Sequence, residues 1–271
     1  MHPAISINTL CFGLGPLDEH VARTAALGAA AIGLTLEEVA AFGAPAAYRL
    51  LRDTGLAVST LTHRAFAFAT PEEGVAGRAR LNATIAMAEA IGATTITMTT
   101  GGRGSLRWAE ATARFAEEIA PCAARAREAG VKLSLEPTSH LYADASIAHR
   151  LFDTLTLATR AGIGVGIDLF ACWVDADIED AIVAAGPHTA LVQVSDYVFG
   201  DRGLPCRAVP GDGAVPLDRL IPLILQNGYR GYFDLEVIGP RLETEGPEAG
   251  LGRAGDWMTQ LLDGTGANSV S

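Results

Sequence analysis

Positive charge is scarce in this sequence. Lys and Arg contribute 20 residues against 31 Asp and Glu, which gives the 271-residue chain a formal net charge of −11. Nucleic acids and anionic membranes are bound through basic surfaces, so this excess of negative charge argues against both partners. The chain also lacks an uncharged apolar run of about 18 residues, which a membrane-spanning helix would need. We therefore expect a protein that acts on a small molecule.

Cysteine is also rare, and no export signal is visible. The four cysteines include no pair in C-x-x-C spacing, which argues against a disulfide scaffold or a structural zinc site. The N-terminal segment MHPAISINTL lacks the basic start and apolar run of a secretion signal. We expect reduced thiols and a cytoplasmic location. Whether the protein forms a homo-oligomer is left open.

Short β-like runs alternate with Ala-rich helical segments along the whole chain. Such alternation implies parallel strands, because each helix returns the chain to the same end of the sheet. The repeats favour an α/β fold with a single (β/α)₈ TIM barrel; an open doubly wound sheet is the alternative, but NTLCFGLGP lacks its G-x-G-x-x-G motif. We assign residues 1–263 to one barrel domain and residues 264–271 to a flexible tail. The predicted strands are Ile5–Thr9, Ala31–Thr35, Ala57–Thr62, Thr94–Thr99, Val131–Glu136, Gly164–Asp168, Ala190–Ser195 and Gly231–Val237.

Local signals add detail to this pattern. The segment T-P-E-E predicts a helix with Thr70 as N-cap, Pro71 at the first position and Glu73 completing a capping box. Pro121 predicts a kink or break in the following helix. The segment Tyr197–Pro216 is long for a barrel loop, which favours a partial lid.

Four late strands carry polar residues at matching positions near their ends: Glu136, Asp168, Gln193 and Glu236. Side chains alternate across a strand, so each of these residues faces opposite to its apolar neighbours. In a barrel the apolar set packs against the helices, and the polar set points into the C-terminal mouth, where barrel enzymes place their chemistry. We therefore expect the four side chains to converge.

Three carboxylates that converge in a low-dielectric mouth repel one another. A divalent cation would remove this repulsion, and an oxygen-rich ligand set suits Mn²⁺ or Mg²⁺ better than structural Zn²⁺. The sequence thus predicts a metal site formed by Glu136, Asp168, Gln193 and Glu236. A carboxylate at a single strand end is more often an N-cap or loop anchor; three carboxylates and one amide on four successive strands favour the metal.

These residues lie in motifs that carry a family resemblance. LSLEP, GVGIDLF, LVQVSD, VPGDG and FDLEV, in this order, resemble the sugar phosphate isomerase/epimerase family, whose fold is the xylose isomerase-like TIM barrel. The resemblance implies that Glu136 and Glu236 also act as acid and base on the substrate carbon, and that Arg207 contacts the substrate. Three positions depart from the family's ketose 3-epimerases: Gln193 replaces a histidine ligand, Ala171 a substrate-binding histidine and Tyr142 a substrate-contacting glutamate.

Three further residues are candidates for substrate binding. His63 follows the third predicted strand and could reach the mouth, and His140 lies just past the fifth strand on the same rim. Trp173 could form one wall of a sugar pocket, since aromatic faces stack on C–H surfaces. Each also has a structural interpretation, as a backbone-bonded loop histidine or as a helix-packing tryptophan.

These expectations define one reaction class. A metal-dependent isomerase or epimerase would make the C–H beside a carbonyl acidic, remove that proton with one glutamate and return it with the other through an enediolate. The substrate would be a small sugar or polyhydroxy carbonyl compound. A dehydratase or lyase on the same site, C-glycoside cleavage included, and a non-catalytic polyol-binding barrel stay open as alternatives.

Overall fold

The computed structural model describes residues 1–266, and within them eight parallel strands close into a barrel in the order β1 to β8. Every strand pairs with its sequence neighbours, and β8 closes the ring by pairing with β1 in the register Ile5–Phe233 and Ser6–Asp234. This confirms the predicted TIM barrel. The strands are β1 Ile5–Asn8, β2 Ala31–Thr35, β3 Ala57–Ala65, β4 Thr95–Thr99, β5 Lys132–Leu135, β6 Gly164–Asp168, β7 Thr189–Val194 and β8 Phe233–Leu235.

Helices surround the barrel and bury their apolar faces against it. Leu17 and Val21 of the first helix, for example, are almost fully buried. The helices in residues 1–266 are α1 Leu17–Ala26, α2 Leu36–Phe42, α3 Ala44–Thr54, α4 Pro71–Ile91, α5 Trp108–Glu128, α6 Leu151–Ala161, α7 Leu169–Cys172, α8 Ile178–Ala185, α9 Leu217–Gln226, α10 Pro240–Glu245 and α11 Pro247–Thr265. No helix within these residues is both long and apolar enough to traverse a bilayer.

Two local predictions have opposite outcomes. The capping box is confirmed: the Thr70 hydroxyl accepts from the Glu73 N–H, and the Glu73 carboxylate accepts from the Thr70 N–H. Of the kink or break predicted at Pro121, the break is wrong, because α5 continues through this residue. Pro121 lies on the exposed face of the helix, where its ring has room and the carbonyl that loses its partner can be hydrated.

The end of the chain differs from the expectation in one respect. Helix α11 runs to Thr265, so it includes the first two residues of the segment 264–271 that the sequence assigns to a tail. Residues 267–271 of that segment lie outside the described part of the chain.

The interior of the barrel is layered, with polar side chains inside and apolar ones against the helices. In β5, Leu133 and Leu135 belong to the apolar core, whereas Ser134 and the residue directly after the strand, Glu136, face the interior. Parallel pairing brings the carboxyl ends of β5 to β8 to one rim, and Asp168 lies in register with Gln193 on the neighbouring strand. The strand ends are thereby held at one level, which positions the site described next.

Candidate active site

Four predicted polar residues meet at the mouth of the barrel. Asp168 ends β6, Gln193 is the penultimate residue of β7, and Glu136 and Glu236 directly follow β5 and β8. Asp168, Gln193 and Glu236 are buried. The Gln193 amide nitrogen donates a hydrogen bond to Glu236 Oε2, and this bond joins two neighbouring strands.

Arg207 is the positive centre of this group. Its guanidinium donates to both carboxylate oxygens of Asp168, at 2.9 and 2.6 Å, and lies 3.7 Å from Glu236 Oε2. It also donates to Ser195 Oγ at 3.1 Å and lies 4.7 Å from the centre of the Phe170 ring. The side chain is only 13% exposed, so water screens these charges poorly.

Burial and like charge together shift the pKa values of the two glutamates upward. Burial is the main cause for Glu136, followed by the charges of Glu236 and Asp168, and its pKa lies well above its usual range. Burial also raises the pKa of Glu236 to about 7, against the opposing effect of Arg207. Carboxyl groups with raised pKa values are suited to move protons near neutral pH.

Two oxygens of the cluster have no hydrogen-bond partner. Gln193 Oε1 and Glu136 Oε2 are both buried and unpaired, and burying such atoms is costly unless something satisfies them. The Gln193 amide is oriented by Glu236 so that its oxygen is the free end. Carboxylate and amide oxygens are donors that Mg²⁺ and Mn²⁺ accept, so these two atoms fit a divalent cation.

The ligand set is nevertheless incomplete as it stands. Within residues 1–266, no three His, Cys, Asp or Glu side chains are arranged to hold a metal ion. Both Asp168 oxygens are engaged by Arg207, and Oδ1 also accepts from the Phe170 N–H at 3.1 Å. The residues thus have the chemistry to bind a divalent cation, but one of the predicted ligands, Asp168, is already bound by the guanidinium of Arg207.

The other predicted substrate contacts are placed differently. His63 is not brought to the mouth: its Nδ1 lies 2.8 Å from Thr84 Oγ1 on α4, and the ring is buried on the helix side of the strand. His140 is exposed in a short 3₁₀ helix on the rim, which leaves its predicted role open. Trp173 is half-buried and stacks near Tyr197 and Phe199, with ring centres 6.1 and 6.2 Å away.

Sequence reasoning missed some of the residues that hold Arg207. Ser195 shares the inward parity of Gln193 two positions earlier, so its position was available as a signal. Phe170 lies in the short helix α7 and gave no periodic signal. Arg207 itself is positioned by the loop after β7, which returns to the barrel through an antiparallel bridge between Asp196 and Ala208.

Asp196 organises that loop. Its carboxylate accepts hydrogen bonds at 2.8 to 3.0 Å from the backbone N–H groups of Tyr197, Gly211, Gly213 and Val215. The Asp196 carboxylate therefore holds the backbone of the loop together from within. The predicted lid function of the loop stays a prediction.

Comparison with known proteins agrees with this architecture. The family model described as xylose isomerase-like TIM barrel matches residues 21–261. Among curated proteins, no significant match was found. The solved structure of protein SMc04130 from Sinorhizobium meliloti 1021 has a TM-score of 0.85 and 25% sequence identity, covering 97% of this chain and 98% of that chain.

Two further solved structures share the fold at lower identity. IolI protein with a zinc atom has a TM-score of 0.83 and 14% identity, covering 97% of this chain and 99% of that chain. D-psicose 3-epimerase from Clostridium cellulolyticum H10, solved with D-tagatose, has a TM-score of 0.81 and 14% identity, covering 96% and 99%. At this identity the likeness establishes the fold alone.

Proposed function

We propose that this chain, which belongs to the xylose isomerase-like TIM barrel family, is a divalent-metal-dependent isomerase or epimerase of a small sugar or polyhydroxy carbonyl compound. The observation that carries the proposal is the pair of buried, unpartnered oxygens on Glu136 and Gln193 beside Asp168 and Glu236. The solved epimerase structures of the same fold support the reaction class.

The cation proposed is Mn²⁺ or Mg²⁺, held by Glu136, Asp168, Gln193 and Glu236. When bound, it would polarise a substrate carbonyl and a neighbouring hydroxyl, which makes the C–H of the hydroxyl-bearing carbon acidic. The donors are all oxygens, which favours these ions over structural Zn²⁺.

The two glutamates have distinct approaches to the substrate. Glu136 follows β5 and Glu236 follows β8, and these strands are not neighbours in the barrel. One carboxylate would take the proton from the substrate carbon, and the other would return it to the enediolate, from the opposite face in an epimerisation. Arg207 would hold a substrate oxygen.

The proposed location is cytoplasmic. All four cysteines are unpaired and buried, as expected for thiols in a reducing compartment. Burial also raises the pKa of the Cys172 and Cys206 thiols, and neither has a partnered base, so we assign no nucleophile among them.

Hydrogen exchange into a substrate tests the reaction. The protein is stripped with a chelator, reloaded with Mn²⁺ or Mg²⁺, and incubated in D₂O with a panel of ketoses and sugar acids. NMR should detect deuterium at the carbon next to the carbonyl of one substrate, dependent on the added metal. A dehydrated product would indicate a lyase. The proposal would be contradicted if no compound exchanged hydrogen and the protein bound no metal.

Variants distinguish the specific roles of the two glutamates from the effect of losing one negative charge. Glu136→Gln and Glu236→Gln should each lower the exchange rate by about 10² to 10⁴, the usual contribution of a general acid or base. The matched control is Glu128→Gln, which makes the same change at an exposed position at the end of α5 and should leave exchange unaltered.

A further inference from the structure

The guanidinium of Arg207 occupies the position that a cation would be expected to take among the carboxylates. It binds both oxygens of Asp168, reaches toward Glu236 Oε2 at 3.7 Å, and is 13% exposed. Two parallel N–H···O bonds from arginine to one carboxylate form the strongest common type of ion pair in proteins. Arg207 therefore relieves part of the repulsion within the cluster.

Arg207 does not interact equally with the four residues of the cluster. Asp168 is fully engaged, whereas Glu136 Oε2 and Gln193 Oε1 have no partner, although all belong to the same cluster. A divalent cation bound to the free oxygens would also draw on Asp168, because this carboxylate is the remaining anionic side chain of the cluster and binds a hard cation more strongly than the water molecules that could otherwise complete an octahedral set. The cation and Arg207 would thus use the same carboxylate.

We propose that Arg207 competes with the divalent cation for Asp168, and that cation binding releases the guanidinium to hold the substrate. The proposal rests on the proposed function, since it concerns the metal of that site. The site then has two states, one with Asp168 bound to Arg207 and one with Asp168 free. Only the second binds the cation fully, so the apparent cation affinity is reduced by the fraction of molecules in that state. Substrate would then bind after the cation.

The surroundings of Arg207 fix its backbone and give its guanidinium partners other than Asp168. The backbone is fixed by the Arg207 N–H donating to the Ile238 carbonyl at 3.0 Å and by the adjacent bridge between Ala208 and Asp196. Besides Asp168, the guanidinium has two partners for which a cation does not compete, namely Ser195 Oγ at 3.1 Å and the face of Phe170.

Metal affinity, measured without substrate, tests this competition. Mn²⁺ binding is followed by calorimetry and by the electron paramagnetic resonance signal of free Mn²⁺. Arg207→Gln should bind Mn²⁺ about tenfold more tightly than wild type, within the usual range for coupling between sites. Arg207→Lys should lie between them, because lysine retains the charge but lacks the bidentate fork.

The matched control is Arg241→Gln. It removes one positive charge from an exposed ion pair with Asp201, so it changes net charge equally without touching Asp168. Its Mn²⁺ affinity should equal that of wild type. Equal or weaker binding by Arg207→Gln, with wild type still binding Mn²⁺, would overturn the competition while leaving the proposed function intact. Absence of Mn²⁺ binding by every form would overturn the proposed function itself.

A second measurement covers the case in which Arg207→Gln fails to fold. In a crystal structure of the wild-type protein loaded with Mn²⁺, located by anomalous scattering, the Arg207 guanidinium should no longer bind both oxygens of Asp168. Retention of that bidentate contact beside a bound Mn²⁺ would refute the proposal regardless of the variants.

Discussion

For His63, an experiment can distinguish clearly between a structural role and a functional one. Thr84 Oγ1 donates its single proton to the Arg80 carbonyl at 3.1 Å, so at 2.8 Å it must accept from His63 Nδ1. Nδ1 therefore carries a proton, and Nε2 is buried without a partner, so a second proton on the ring would have no acceptor. Burial, aided by the positive charge of Arg80, lowers the pKa of His63 to about 4.

This shift predicts a pH-dependent loss of stability. Below pH 6.5 the unfolded chain protonates His63, while the folded chain resists until about pH 4. The contribution is therefore complete above the ordinary pKa and is lost as the pH falls toward the folded value. At ~1.4 kcal/mol per pH unit the whole effect is about 3 kcal/mol, of which about 2 kcal/mol is lost between about pH 7.5 and about pH 5.

Urea unfolding of wild type and His63→Asn at both pH values measures this loss. Asparagine retains a donor near the Nδ1 position but does not titrate, so the variant should lose about 2 kcal/mol less on acidification. Other titrating groups affect both proteins alike and cancel in the difference. The matched control is His140→Asn, which removes an exposed imidazole. Equal losses in wild type and His63→Asn would refute the reasoning.

The same variant also tests the substrate contact predicted from the sequence. Since the ring packs against α4 and not among the carboxylates, His63→Asn should leave KM unchanged. A raised KM with unaltered stability would restore the interpretation of His63 as a substrate ligand.

Three further predictions concern the loops around the mouth. Gly101→Ala should destabilise the protein by about 1–3 kcal/mol more than Gly43→Ala in urea unfolding, because both glycines have positive φ but only at Gly101 would a Cβ lie 2.7 Å from the backbone of Ala67. Asp196→Ala should cost about 3 kcal/mol or more and expose its loop to limited proteolysis, because four backbone N–H groups lose their acceptor. Trp173→Ala should raise KM but leave kcat for the exchange of substrate hydrogen with solvent nearly unchanged, as expected for a residue that forms one wall of the pocket.

The barrel could be predicted from the sequence because its signals are local. Each late strand shows period-two alternation, and helical segments separate the strands, so parallel pairing and the inward parity of Glu136, Asp168 and Glu236 follow from simple geometry. The predicted bounds of β2 and β6 match the observed ones, and those of the remaining strands differ by only a few residues.

His63 shows why parity arguments fail near an uncertain strand end. The sequence predicts that the third strand ends at Thr62, which would place His63 in a loop at the mouth. The strand continues to Ala65, and the contact of His63 with Thr84 on α4 places its ring on the outward side. An error of three residues at the strand end therefore reverses the direction of one side chain.

Arg207 could not be placed from the sequence for a different reason. Its contact with Asp168 spans 39 positions and depends on a loop that returns to the end of β7 through the Asp196–Ala208 bridge. No periodic pattern encodes such a return. The family resemblance implies only a substrate contact at this position, and the structure adds that the guanidinium holds a predicted metal ligand.

In the layer beneath the cluster, the buried carboxylate of Asp234 is satisfied by hydrogen bonds from neutral donors. Asp234 accepts from Ser6 Oγ at 2.7 Å and Asn8 Nδ2 at 2.8 Å, so neutral donors satisfy it while burial raises its pKa to about 6. One layer higher, Glu136 Oε2 and Gln193 Oε1 have no such donors. The same barrel supplies donors to the buried carboxylate of Asp234 but not to the free oxygens of Glu136 and Gln193, and this contrast supports the proposed cation site at the mouth.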